Sequence, residues 1–93
     1  MDNQDKTNVF VLIENTYDTD AAVEIPSVIG VYTSHKAAEE AIGPNMEEWL
    51  RLNKDSYSEL HEDKDTGELI FVDNYGDEIT ALSYKIETYP LLP

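Results

Sequence analysis

Residues 8–41 read NVFVLIENTYDTDAAVEIPSVIGVYTSHKAAEEA. Two strand-like runs, 9–13 and 24–33, are joined by a turn-rich acidic stretch at 15–22. Helical spacing then begins abruptly, with Ser34 as a candidate N-cap and small apolar residues on one face. This change from a two-residue period to a 3.6-residue period predicts an α+β domain.

The helical region that follows has two interpretations. Gly43-Pro44 predicts the end of a first helix, because proline interrupts helical hydrogen bonding. Asn45 with Glu48 three residues later resembles a capping box, which favours a second short helix. One kinked helix and two separate helices are both compatible with this pattern.

The second half of the chain returns to strand and turn signals. Strands are predicted over residues 56–62, 69–72 and 79–89, with tight turns at 63–67 and 73–77. The expected architecture is an antiparallel or mixed sheet of four to five strands with one or two helices packed on one face. The expected order is β-β-α-(α)-β-β-β.

Length and composition indicate a single domain over residues 1–93, with 1–7 as a polar leader that frays. The chain has no cysteine, which excludes disulfides, thiolate catalysis and cysteine-based metal sites. The start lacks the basic and apolar regions of a signal peptide, and no apolar run approaches the roughly 18 residues of a membrane span. A soluble cytoplasmic protein is therefore expected.

Charge is the strongest functional signal. Twenty Asp and Glu against six Lys and Arg give a formal net charge of −14. This balance opposes direct contact with nucleic acid or an anionic membrane and favours a basic protein partner.

No catalytic, cofactor-binding or metal-binding residues are predicted, and the chain is not expected to be an enzyme. Glu14, at the end of an apolar strand pattern, and Glu87, within a strand pattern, are the two carboxyl groups whose surroundings favour a perturbed pKa, but solvated strand residues are the simpler interpretation. His35 and His61 are far apart and have no cysteine companion. The stretch DKDTGE at 63–68 lacks the glycine position and the bidentate glutamate of an EF-hand loop.

Residues 59–78 hold eight acidic residues against one lysine, a net charge of −7. Carboxylates on a hairpin there would lie at a spacing comparable to that of duplex phosphates. A duplex carries about one charge per 1.7 Å of its axis, counted over both strands. Tyr75 lies among them as a candidate aromatic anchor. The predicted partner-binding residues are Glu59, Glu62, Asp63, Asp65, Glu68, Asp73, Tyr75, Asp77 and Glu78. Smaller acidic groups lie near 14–24 and on the helices, and charge of this kind also serves solubility.

The chain resembles a family of small uncharacterised bacteriophage and bacterial proteins. The segments that carry the resemblance are VFVLIENTYD at 9–18, VIGVYTSHKAAEEAI at 28–42 and SYKIETYPL at 83–91. The acidic residues 56–77 depart from the family pattern. The family supplies no function to carry over, but the resemblance implies a phage or mobile-element origin, and small acidic proteins of that origin are often inhibitors of host defence.

The leading hypothesis is an inhibitor that occupies the basic nucleic-acid-binding site of a host nuclease or defence complex. Such a protein would be an anti-CRISPR or anti-restriction nucleic-acid mimic acting in the host cytoplasm. The alternative is a non-enzymatic interaction or self-assembly module whose acidity serves solubility. A homodimer would then form through an exposed sheet edge or through the helix face carrying Trp49.

Overall fold

The computed structural model describes residues 8–53, 55, 60–63 and 66–91. The chain forms one five-stranded antiparallel sheet in the order β2-β1-β5-β4-β3, with a bent helical segment following β2. The predicted α+β class and element order are confirmed. The elements are β1 (Asn8–Asp18), β2 (Val23–Tyr32), α1 (His35–Glu40), α2 (Ile42–Asn53), β3 (His61–Asp63), β4 (Glu68–Val72) and β5 (Glu78–Pro90).

Strand β5 is shared by two ladders that scarcely overlap. Its residues 82–90 pair with β1, whereas its residues 78–82 pair with β4. Only Leu82 belongs to both ladders, opposite Thr16 on one side and Leu69 on the other. The staggered sheet explains the elongated shape, which measures 56 × 23 × 23 Å with a radius of gyration of 15.8 Å. A compact chain of this length would have a radius of gyration of roughly 12 Å.

Prolines mark the open edges of the sheet. Pro26 lies opposite Asn15, and Pro90 lies opposite Asn8. A proline has no N–H to donate, so each fits only at a non-hydrogen-bonded pair, where the backbone groups point away from β1. Both missing donors therefore face the outer side of their strand. Strand β2 also has a bulge, with Ile29 as the extra residue. Pro26 and this bulge together make the β2 edge a poor template for another strand.

Strand β1 is longer than the sequence pattern suggests. Residues 15–18 were predicted to belong to a turn, but β1 continues to Asp18 and the turn begins only there. Asn15 pairs with both β2 and β5, and Asp18 pairs with β2 alone; this pairing overrides the turn preference of both residues. The predicted strand over 56–62 is described only at its end, where β3 begins at His61, because residues 56–59 lie outside the described part.

The helical region shows one prediction confirmed and two wrong. Ser34 is the N-cap of α1, since its Oγ accepts a hydrogen bond of 3.0 Å from the Ala37 N–H. The helix breaks at Ala41, not at Gly43-Pro44, and Pro44 lies in the first turn of α2, where its missing N–H is tolerated. Asn45 is not the N-cap of a helix. Its Nδ2 donates to the Ala41 carbonyl at 2.7 Å, and this hydrogen bond bridges the bend.

The core is small, and part of it lies between α1 and one face of the sheet. Leu12 and Leu82 are the largest fully buried side chains, and Ala38 of α1 is also fully buried. The Phe10 ring meets His35 edge-on, with ring centroids 5.9 Å apart, so α1 covers the face that carries Phe10 and Leu12. The other buried residues are Leu69, Phe71 and Ala81. Ala81 is the extra residue of a bulge against β4, which explains why it is buried together with its neighbour Leu82.

We expect Leu82→Ala to be one of the most destabilising substitutions in this chain. It removes a fully buried side chain at the residue that joins the two ladders, and the cavity should cost about 3 kcal/mol of unfolding free energy. Leu91→Ala is the matched control, because Leu91 is 59% exposed. Urea denaturation measures both, and equal stability of the two variants would contradict the shared-strand architecture.

Candidate functional site

Two hairpin turns lie at the same end of the sheet. Thr16 is opposite Leu82, and from that pair β1 runs toward Asp18 while β5, followed backward, runs toward Glu78. The β1–β2 turn and the β4–β5 turn therefore project from one end of the sheet, and two strand spacings, roughly 10 Å, separate them across the strands. Residues 18–24 and 73–78 contain six carboxylates and no Lys or Arg. We call this surface the acidic end, with the carboxylates of Asp18, Asp20, Glu24, Asp73, Asp77 and Glu78.

Two of these carboxylates have structural roles in their turns. The Asp18 Oδ1 accepts hydrogen bonds from the Asp20 and Ala21 N–H groups at 2.9 and 3.2 Å. The Asp73 Oδ1 accepts from the Tyr75 and Asp77 N–H groups at 2.8 and 2.9 Å. Aspartate favours turns because its carboxylate satisfies backbone donors that no strand partner reaches.

The same design recurs in each hairpin turn that the structure describes. An aspartate opens each turn, and a residue with positive φ closes it. In the β3–β4 turn, Asp63 opens the turn by accepting from the Thr66 N–H at 3.4 Å, and Gly67 closes it. Ala22 closes the β1–β2 turn at φ 58. This left-handed conformation is energetically unfavourable for alanine but not for glycine. A share of the acidity is therefore explained by folding alone.

Exposed groups remain at the acidic end. Asp20, Glu24, Asp77 and Glu78 are exposed to solvent. Tyr75 lies at the tip of the β4–β5 turn and is 90% exposed. An aromatic ring held in this position on a hydrogen-bonded turn is available as a contact, as the sequence analysis proposed.

The predicted acidic hairpin is divided by β4. Glu62, Asp63 and Glu68 lie at the β3–β4 turn, whereas Asp73 and Asp77 lie at the opposite end of β4, roughly 17 Å away along five strand residues. Asp63 is directly opposite Glu68 in the β3–β4 ladder, a like-charge pair that costs stability. The predicted binding residues Glu59 and Asp65 lie outside the described part of the chain.

Sequence reasoning assigned Asp20 and Glu24 to a separate group and missed their place beside the β4–β5 turn. The antiparallel pairing of β1 with β5 brings these distant segments together. Glu14, assigned to the same loop group, lies inside β1. A correct strand order would have revealed both placements.

The two carboxylates considered as acid or base candidates have polar partners. The Tyr84 hydroxyl donates to Glu14 Oε2 at 2.6 Å across the β1–β5 ladder. The pKa of Glu87 lies below its ordinary value, because it accepts hydrogen bonds from Tyr89 and Lys85. A catalytic acid would require the opposite shift.

A hollow of about 320 Å³ lies beside the start of α1. Its lining does not include Glu14 or Glu87 and consists of Asn8, Phe10, Thr33, Ser34 and His35. Among the described residues, no three His, Asp or Glu side chains are grouped so that they could hold a metal ion. No helix in that part of the chain has the length and apolar character needed to cross a membrane.

We expect Asp73→Ala to lower the unfolding free energy by about 1 kcal/mol, because two backbone donors lose their acceptor. Asp73→Asn keeps an acceptor oxygen and should retain most of the stability. Asp77→Ala is the control for removing a neighbouring carboxylate. Urea denaturation distinguishes them, and an Asp73→Ala variant as stable as Asp77→Ala would contradict the structural role of Asp73.

Tyr84 should make stability depend on pH in the alkaline range. Burial, together with the hydrogen bond to Glu14, raises the pKa of Tyr84 above the usual value of about 10. Its contribution is therefore complete below about pH 10 and is lost as the pH rises, because the unfolded chain releases the proton first. Tyr84→Phe should be less stable at neutral pH, and its stability should fall less steeply above pH 10. Denaturation curves from about pH 9 to 12 give the unfolding free energy of each protein at each pH. An equal fall of this free energy with pH in the two proteins would contradict this account.

Comparison with family models, with curated protein sequences and with solved structures finds no match for this chain. The resemblance to small bacteriophage and bacterial proteins therefore stays a prediction that rests on the segments quoted above.

Proposed function

We propose that this chain is a non-catalytic inhibitor whose acidic end occupies the basic nucleic-acid-binding site of another protein. The observation that carries the proposal is the acidic end itself. Four exposed carboxylates and a 90% exposed tyrosine share one end of a hydrogen-bonded sheet, in segments 18–24 and 73–78, which contain no Lys or Arg. A partner that binds phosphates offers the complementary surface of Arg and Lys.

The shape of the molecule supports the same function. It is a rod about 23 Å across, a width comparable with that of duplex DNA. Its negative charge is carried on the rod at the acidic end and at the β3–β4 turn. Together with the net charge of −14, this distribution favours a site that normally holds a nucleic-acid backbone.

The charged residues far from the acidic end are partly neutralised. Arg51 pairs with Glu48 at 2.6 Å, and Lys85 pairs with Glu87 at 3.0 Å. Arg51 and Lys85 lie on α2 and on the part of β5 beyond Leu82. Segments 18–24 and 73–78, which would face a basic partner, contain no Lys or Arg.

A phage-encoded inhibitor of a bacterial nuclease or defence complex, of the anti-CRISPR or anti-restriction type, is the specific form of this proposal. The charge and shape support binding to a nucleic-acid site, and the resemblance to phage proteins supports the biological setting. The host cytoplasm is where such an inhibitor would act.

The test compares two triple variants of equal net charge. The first, Asp20→Asn with Asp77→Asn and Glu78→Gln, neutralises the acidic end. The second, Glu39→Gln with Glu40→Gln and Glu47→Gln, neutralises exposed helix residues. Each has a net charge of −11, from −14 plus 3, so a difference between them reports position and not total charge.

Each tagged protein is used to capture partners from a nuclease-treated bacterial lysate at low and high salt. We expect the wild type and the helix variant to retain the same basic nucleic-acid-binding protein at low salt. The acidic-end variant should bind it about tenfold more weakly, since three exposed ion pairs are lost. Equal retention by the two triple variants would contradict a specific acidic end.

Tyr75→Ala should also weaken this complex. Raising the salt should not restore the binding that this variant loses. Retention that is unaffected by Tyr75→Ala would remove the tyrosine from the proposed contact while leaving the carboxylates.

A further inference from the structure

Helix α2 is held to the rest of the molecule by a shallow contact. All of its residues are described, none of them is buried, and Leu52 is 64% exposed. Among the described elements, α2 packs mainly against α1, which in turn packs on the sheet. The half-buried residues repeat at helical spacing along one face of α2 and are Ile42, Asn45, Met46, Trp49, Leu50 and Asn53. Docking of α2 therefore adds little to the core.

The residues that join α2 to α1 are poor helix formers. Helix α1 ends at Ala41, and α2 begins with Ile42, Gly43 and Pro44. Pro44 has no N–H to donate to the Glu40 carbonyl, and glycine favours the helix less than every other residue except proline. A Cβ placed on Gly43 would meet no atom within 4 Å, so the space beside it is open. The chain can therefore bend at this junction without disturbing packed side chains.

Two hydrogen bonds from Asn45 cross this junction, and both end on the Ala41 carbonyl. The main-chain N–H of Asn45 donates at 3.4 Å, which is a long bond, and its Nδ2 donates at 2.7 Å. The side-chain bond is the stronger of the two by its length. The junction thus depends on a side-chain contact where the interior of a helix would have a short main-chain bond.

Local interactions support the helical form of α2 beyond the junction. Arg51 pairs with Glu48 at 2.6 Å, and Asn53 Nδ2 donates to the Trp49 carbonyl at 2.9 Å. Arg51 also lies in the last turn, where a positive charge is favourable. A helix of this length is nevertheless marginal in water when nothing packs against it. We therefore expect α2 to lose its helical structure when it leaves its docked position.

We propose that α2 is a hinged arm, which undocks and melts as one unit about Ala41 while α1 and the sheet stay folded. The contacts that α2 loses are shallow, whereas Leu12, Ala38 and Leu82, which hold α1 and the strands together, are fully buried. Segments with few buried contacts open at a lower free energy than the core. Opening exposes the apolar stripe that the docked arm half-buries. The arm is therefore a conformational device that presents this stripe only in its open state.

Native-state amide hydrogen exchange of the full chain, followed by NMR, tests this proposal. The sheet is represented by the N–H groups of Val11 and Ile13, which alternation from the Asn8–Pro90 pair assigns to hydrogen-bonded pairs with β5. We expect the amides of residues 46–53 to have protection factors at least about 100-fold lower than these two. Equal protection of α2 and the sheet would overturn the proposal.

A matched pair of substitutions tests whether α2 opens as one unit. Glu47 is exposed on α2, so Glu47→Gly and Glu47→Ala remove the same charge and differ in helix propensity. The amides of residues 46–53 should exchange about fivefold faster in the glycine variant than in the alanine variant. The amides of Val11, Ile13 and Ala38 should exchange at the same rate in both.

An equal change at Val11 and Ile13 would mean that α2 opens only when the whole molecule unfolds, and it would overturn the proposal. An equal change at Ala38 would place α1 in the same opening unit, which would overturn the hinge at Ala41. Circular dichroism verifies that both variants are folded. If the glycine variant is unfolded, the comparison of α2 with the sheet in the wild type decides.

Discussion

The pairing of one strand, β5, with two different neighbours is the constraint on which the rest of the structure depends. Its first residues pair with β4, its later residues pair with β1, and the two ladders meet at Leu82. Because the ladders are staggered, the sheet becomes a rod instead of a compact layer. The helix can then cover only the part formed by β1, β2 and the end of β5. This arrangement leaves the hairpin turns at one end projecting beyond the core.

Turn formation and surface charge are combined in the same residues. Aspartates satisfy backbone donors in the hairpin turns, and their second carboxylate oxygens add to the negative field. Asp20, Glu24, Asp77 and Glu78 are exposed to solvent. These exposed carboxylates, with no Lys or Arg in the same segments, give the acidic end its negative field.

The sequence predicted the fold class well because its periodicities are strong. Val9, Val11 and Ile13 alternate with Phe10 and Leu12, and Ser34 marks the start of the helix with an N-cap that the structure confirms. Boundaries were predicted less well where local preference competes with context. Asn15 is a turn former held in a strand by two neighbours, and Asp18 is one held by β2 alone. Pro44 lies inside the first turn of a helix instead of ending one.

The candidate site was only partly predictable, for a topological reason. Asp63 and Asp73 are close in the sequence, yet β4 holds them at opposite ends, whereas Asp20 and Asp77 are distant in the sequence and lie at the same end of the sheet. Sequence proximity groups the first pair, and only strand order groups the second. Which face of β1 stays open also depends on the side on which α1 packs, and alternation alone does not determine that side.

Competition with nucleic acid tests the central claim most directly. The captured basic partner, bound to this protein at low salt, is titrated with the duplex DNA or RNA that it normally binds, and the released protein is measured. If the acidic end occupies the nucleic-acid site, nucleic acid displaces the protein completely, and the protein in turn displaces nucleic acid. A stable complex of all three components would contradict the account.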